Sequence, residues 1–475
     1  MDLHVTFDGR RDRAGQMYRQ IRAAILDGRL RPGAPLPPTR ELAARLAVSR
    51  TTVVVAYDRL AGEGFVTGRV GAGTFVSYDV AVAPPFVAAP EPARLRTAAV
   101  WDDMPDPSDT KTRWAYDFRS GGPDATLFPY ESWRRLLVRE HRAPTVGDST
   151  YGDPSGEPGL REAIARHAGL SRSSRITAAS VLVTNGTQQA LDLLARVLLE
   201  PGDTVAVEHP GYPPPVRLFA SLGARVAHVP VDPDGLVVDA LPERARLVYV
   251  TPSHQFPLGV PMSLARRMAL LDWADRHDAA IVEDDYDSEF RYSGRPVEPL
   301  HSLDRSGRVI YVGSFSKVML PTLRLGFVAA PPALHRTLRK ARLVSDWHSP
   351  VATQRALASF IDDGLLARHI RKMRRTYAAR HERIQGVLTR DFAAWLDVVP
   401  SAAGLHLAAL ARDPATPIDD IVAAVARRGV AVQSLAVFAL DRPTRPGVVL
   451  GYGGVPLSRI PEGLRRLRRC FEQVA

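Results

Sequence analysis

The chain has 475 residues, an apolar fraction of 45% and a formal net charge of +11. That length exceeds one ordinary domain, and that apolar fraction is normal for soluble globular protein, so two or three cored domains are expected. No run of about 18 uninterrupted apolar residues occurs, so no membrane-spanning helix and no membrane partner is expected. Residues 1–13 are charged and lack the apolar core of a secretion signal. Cys470 is the single cysteine, which excludes an internal disulfide framework and fits a reducing, cytoplasmic setting. No metal site is expected. Residues 1–78 hold 12 Arg against 7 Asp plus Glu, an asymmetry that suggests a nucleic-acid-binding N-terminal module.

Met17, Ile21, Ala24 and Ile25 recur at helical spacing over residues 15–28, with Gly28 as a stop and Pro32-Gly33 as a turn. Thr39 is placed to cap a short helix running to about Leu46, taking over from Pro38. After a tight turn at Ala47 and Val48, Ser49 is placed to cap a second helix. Its face of Val53, Ala56, Tyr57 and Leu60 reads as core, while Arg50, Thr51 and Thr52 project from its first turn. This is helix-turn-helix logic, in which the start of the second helix reaches base edges and phosphates. A glycine-rich two-stranded hairpin from Gly64 to Val76 follows and reads as a wing.

Leu-Pro-x-x-Arg-x-Leu-Ala at Leu36–Ala43, Val-Ser-Arg-x-Thr-Val at Val48–Val53 and Gly-x-Gly-Thr-Phe-Val at Gly71–Val76 resemble the winged helix-turn-helix of GntR-family regulators. The resemblance covers residues 10–78 as a domain. It implies contacts to double-stranded promoter DNA by Arg40, Ser49, Arg50, Thr51, Thr52 and Gly73. Residues 79–113 are proline-rich, then acidic, without periodicity, and read as a linker.

From residue 114 to 475, short β-branched runs alternate with helical ones. Strands are expected at Val181–Thr184, Thr204–Val207, Leu247–Val250, Ala280–Asp284 and Val309–Val312, with helices at Gln188–Leu199 and Pro215–Leu222. The fold class is α/β, with a mainly parallel sheet whose ligands lie at the strands' carboxyl ends. Long arginine-rich helices, such as 366–389, and a smaller α/β subdomain complete the chain.

Lys317 stands out because the chain holds 62 Lys plus Arg and yet only four lysines, Lys111, Lys317, Lys340 and Lys372. A lysine kept directly after a buried strand suggests chemistry that a guanidinium cannot do, namely attack on a carbonyl by a neutral amine. Ser314-Phe-Ser-Lys317 followed by Arg324 resembles the cofactor-lysine segment of fold-type I pyridoxal phosphate (PLP) enzymes. That resemblance implies PLP held as an aldimine on Lys317, with Ser314, Ser316 and Arg324 around its phosphate. Asn185-Gly186-Thr187-Gln188 sits at a strand-to-helix junction where free N–H groups favour a phosphate. It matches the family's phosphate cup and so adds Gly186, Thr187 and Gln188.

Ile281–Arg291 places a carboxylate cluster after an apolar strand. PLP acts as an electron sink only while its pyridine nitrogen stays protonated, and a buried aspartate stabilises that charge. By resemblance Asp284 takes this role, with Asp285 as the alternative, Tyr286 binds the phenolate oxygen and Tyr212 stacks on the ring. Phe256 stands where plain aminotransferases have an asparagine. Tyr151-Gly-Asp-Pro-Ser-Gly resembles the loop whose tyrosine reaches the neighbouring subunit's phosphate, which implies a homodimer with shared sites.

A GntR-type winged helix joined by a linker to a fold-type I PLP-dependent transferase-like domain is the arrangement of the MocR subfamily of regulators. It implies a transcription regulator that responds to PLP or to a small amine or amino-acid effector. The alternative is a catalytically active aminotransferase carrying a DNA-binding fusion. Against turnover, Val449 occupies the position where aminotransferases place an arginine for the substrate carboxylate. Arg217, Arg442 and Arg445 are the remaining candidates for that task.

Overall fold

The computed structural model describes residues 5–9, 11–77, 95–102, 104–106, 113–142, 150–172, 176–292, 298–440 and 444–474. Two compact units emerge, Met1–Thr97 and Ala98–Ala475. Most of the stretch expected as a linker, together with Lys111, lies outside the described residues; a short 3-10 turn at Ala99–Trp101 lies within them.

In the first unit α1 spans Arg13–Leu26, α2 Thr39–Arg45 and α3 Arg50–Gly62. The side chain of Asp12 caps α1, accepting from the Gly15 N–H. Ser49 caps α3 as expected, its Oγ accepting from the Thr52 N–H at 3.1 Å. Thr39 does not cap α2. The residue at that position is Pro38, extended and without a side-chain bond, and Thr39 is already the first helical residue. Tyr57 Oη anchors the approach by donating to the Pro37 carbonyl at 2.9 Å. Met17, Ile21, Ile25, Leu42, Val53, Tyr57 and Leu60 fill one core. The wing has three strands rather than two: β1 (Pro35–Leu36), β2 (Val66–Arg69) and β3 (Gly73–Val76), in the order β1-β3-β2.

The second unit opens with β4 (Tyr116–Asp117). An eight-stranded sheet follows, made of β5 (Val181–Thr184), β6 (Thr204–His209), β7 (Arg225–Asp232), β8 (Gly235–Leu236), β9 (Ala245–Val250), β10 (Ala280–Asp285), β11 (Val309–Ser314) and β12 (Gly326–Ala329). Its order is β5-β12-β11-β10-β9-β6-β7-β8. Strands β7, β6, β9, β10 and β11 run parallel. Strand β12, which the sequence reading did not single out, is antiparallel to both β11 and β5. Strands β5, β9 and β12 are buried on both faces and are therefore almost continuously apolar. The helix Thr187–Leu198 covers one face through Ala190, Leu191 and Leu194.

A smaller subdomain carries β13 (Leu396–Val398), β14 (His406–Ala411), β15 (Val430–Ala431), β16 (Gln433–Ser434) and β17 (Gly447–Gly451). Four of these form an antiparallel sheet in the order β13-β14-β17-β16, while β15 pairs with β4. Helices Leu365–Asp391 and Ile460–Val474 pack on it through Tyr377, Ile384, Leu388, Leu464 and Phe471. The buried Arg380–Asp124 pair, at 2.6 Å, ties the long helix to the loop that follows β4.

Candidate functional sites in the two units

On the first unit, α3 presents Arg50 and Thr51 to solvent at its N-terminus, and Arg40 is exposed on α2. Thr52 and Ser49 share a hydroxyl–hydroxyl bond at 2.8 Å, so part of their capacity is used inside the cap. Gly73 lies at the exposed base of the wing tip with φ +108°, a backbone region that favours glycine. Arg50→Ala is expected to weaken promoter binding by roughly 1–3 kcal/mol without lowering the melting temperature. Fluorescence anisotropy with duplex DNA carrying the bound operator checks this, and unchanged affinity would move the recognition surface elsewhere.

In the second unit a cavity of about 330 Å³ opens at the carboxyl ends of β9, β10 and β11. It brings together ten of the residues singled out in the sequence: Thr187, Gln188, Tyr212, Phe256, Asp284, Tyr286, Ser314, Ser316, Lys317 and Arg324. These come from segments more than 130 residues apart, gathered because parallel strands deliver their following loops to one edge. Gly186 adjoins this set, with φ +83°, and a Cβ there would lie 3.3 Å from the Arg324 guanidinium. Tyr151 is not in this cavity. It is 72% exposed and stacks on Trp347 at 4.3 Å.

Lys317 reaches the cavity floor, where its Nζ donates to the Gly121 carbonyl. Burial lowers its pKa, and the nearby charges of Asp287 and Asp284 work against that shift. Asp284 and Asp285 project to opposite faces, as successive strand residues must. Asp284 Oδ2 accepts from Tyr249 at 2.7 Å, while its Oδ1 is buried with no hydrogen-bond partner. Asp285 accepts from Tyr311 at 2.7 Å and does not line the cavity. Burial pushes the Asp284 carboxyl up to about 7. At the opposite end, the helix Thr187–Leu198 starts without a side-chain cap and Arg324 donates to the Asn185 carbonyl at 2.7 Å.

Ser120, Tyr249, Thr251, Asp287, His406, Gln433 and Phe438 also line the cavity and were not singled out by sequence. Asp287 stood inside the acidic run already noted, a signal that was available. His254, Asp287 and His406 place three ligand-type atoms within 4.8 Å of one another. His254 Nδ1 bonds both Asp287 oxygens at 3.1 Å, and Tyr286 Oη donates to the His254 carbonyl at 2.9 Å. None of the described candidates for a carboxylate anchor reaches the cavity. Val449 is buried among Ala408, Leu435 and Phe438, Arg217 lies outside the lining, and Arg445 bonds Asp397 and the Ala411 carbonyl. Arg442 lies outside the described residues.

Glu208 and Glu283 are likewise buried carboxyls pushed up to about 7 by burial. Groups raised in the folded state contribute stability below their unfolded pKa and lose it as pH rises through the folded value. The cofactor-free protein is therefore expected to melt at a lower temperature at pH 8 than at pH 6. A scanning-fluorimetry series checks this, and a cation beside Asp284 should flatten the slope.

Residues 122–445 match the family of class I and II aminotransferases, and residues 13–76 match the gntR family of bacterial regulatory proteins. The chain is 38% identical over 469 residues to a probable rhizopine catabolism regulatory protein, MocR, of Rhizobium meliloti, covering 96% of this chain and 93% of that one. It is 34% identical to the pyridoxine biosynthesis regulator PdxR of Corynebacterium glutamicum, covering 92% and 91%. Among solved structures, kynurenine aminotransferase of Pyrococcus horikoshii superposes with a TM-score of 0.73 at 28% identity, covering 79% of this chain and 97% of that one. Fold and site thus define an aminotransferase-type PLP domain joined to a DNA-binding winged helix. The chain belongs to the MocR-type family of GntR helix-turn-helix transcriptional regulators.

Proposed function

We propose that this regulator holds PLP on Lys317 and that occupancy of the same cavity by an effector sets promoter binding by the winged helix. The observation that carries this reading is the pairing, across one cavity, of a desolvated lysine with a buried aspartate oxygen that lacks a partner. A pyridinium nitrogen would satisfy that oxygen. The uncapped helix start, Ser314, Ser316 and Arg324 fit the phosphate, since N–H groups and a guanidinium supply donors and positive charge. Once bound, PLP supplies a carbonyl that condenses reversibly with amines. Around it Lys317 provides the neutral amine, Tyr212 and Phe256 wall the ring, and Asp284 retains the balancing negative charge.

Tyr151 supports a homodimer with shared sites. It is outside the lining of its own cavity and largely exposed while stacked on Trp347, as suits a residue that serves a second copy. By linkage, an effector alters DNA binding only through unequal affinity for the two DNA-binding states of that dimer. The aminotransferase reading draws on the fold and on the intact lysine, but none of the described anchor candidates brings a cation to the cavity's far wall. The deciding experiment records the visible spectrum, promoter binding and keto-acid release together while amines are added. A spectral change with altered DNA binding and no keto acid supports sensing; keto acid over many turnovers overturns it.

A further inference from the structure

The two ends of the cavity differ in charge. The far wall is one face of the antiparallel sheet, where Val449 pairs with Ala408 on one side and Gln433 on the other. Paired residues share a face, and His406, two positions before Ala408, shares it too. Gln433 Oε1 accepts from the Ser120 N–H at 2.7 Å and its hydroxyl at 2.8 Å, which leaves the amide NH₂ as its free end. His406 is 2% exposed, and its Nε2 has no hydrogen-bond partner. Burial, reinforced by His254 and Lys317, keeps this imidazole neutral. Phe256 and Phe438, with ring centres 5.1 Å apart, complete the wall.

Among the described lining residues the cations are Lys317 and Arg324, both bonded to backbone carbonyls, and in the PLP-loaded protein Lys317 is taken up by the cofactor. A carboxylate at the far wall would give up water for neutral groups and would feel the buried Asp284 and Asp287, an unfavourable exchange. A hydroxyl meets both needs of the wall, because it donates and accepts and so suits an amide N–H and either imidazole tautomer. We infer that the effector is a compact primary amine bearing a hydroxyl group and no carboxylate, held at its distal end by Gln433 and His406. This rests on the PLP-sensing reading above, which places the amine of the effector near Lys317.

The test uses full-length, PLP-loaded protein and matched pairs: 3-amino-1-propanol against 3-aminopropanoate, and 4-amino-1-butanol against 4-aminobutanoate. Binding is read by visible absorbance and by calorimetry. The amino alcohols are expected to bind at least about tenfold tighter than their carboxylate partners. Gln433→Ala should remove most of the advantage of 3-amino-1-propanol over n-propylamine, read as the ratio of the two affinities in the same variant. Gln433→Arg should shift preference toward the carboxylates. Equal or tighter carboxylate binding, or a protein with its visible band intact that responds to no amine, overturns the inference alone. A wild-type protein that never acquires the band overturns the PLP reading, and this inference with it.

Discussion

Lys317→Ala is expected to abolish the visible band of the lysine-bound cofactor and to leave PLP removable by gel filtration. Borohydride reduction followed by peptide mapping should place the label on Lys317 in the wild type and on no lysine in the variant. Lys340 and Lys372 lie outside the cavity lining and cannot substitute from their positions. Lys317→Arg separates charge from chemistry. A guanidinium keeps the positive charge beside Asp284 and Asp287 but cannot lose a proton near neutral pH to condense with a carbonyl. Both variants should lose the covalent label, yet the arginine form should retain more noncovalent PLP. Because the first unit has its own core, winged-helix folding should be unaffected in either. A label that persists on another lysine would sink the assignment.

The second large effect is expected at Asp284. Asn is nearly isosteric, and its carbonyl can keep the Tyr249 hydroxyl satisfied, so Asp284→Asn removes charge with little change of shape. Loss of one partner from a buried, charge-assisted pair costs about 3 kcal/mol or more, roughly a hundredfold in cofactor affinity. The same substitution removes a negative charge that raises the Lys317 pKa, so covalent attachment should titrate at lower pH. Asp285→Asn should do neither, because Asp285 faces Tyr311 rather than the cavity. If the two variants exchange these phenotypes, Asp285 becomes the pyridinium partner. Equilibrium dialysis against PLP across pH, with wild type alongside, distinguishes the outcomes.

By itself the sequence determined the two modules, the exposed start of α3, four of the five parallel-paired strands and the lysine that the cavity encloses. Each rests on local information: apolar periodicity, capping residues, or a lysine kept where arginine is the habit. Several features were decided only by the tertiary structure. Strand β12 is four residues long, and its antiparallel place is set by pairing with β5, some 140 residues away. Asp284 and Asp285 are equivalent neighbours in sequence until the sheet turns one toward the cavity and the other toward Tyr311. Thr39 looked like a cap, but the extended backbone at Pro38 already carries the chain into α2. The far wall was the least legible part, because Ser120 and Gln433 meet across 313 residues and His406 comes from a third segment. A ligand wall built from single residues on separate strands has no sequence period. Only sheet register brings such residues to one face.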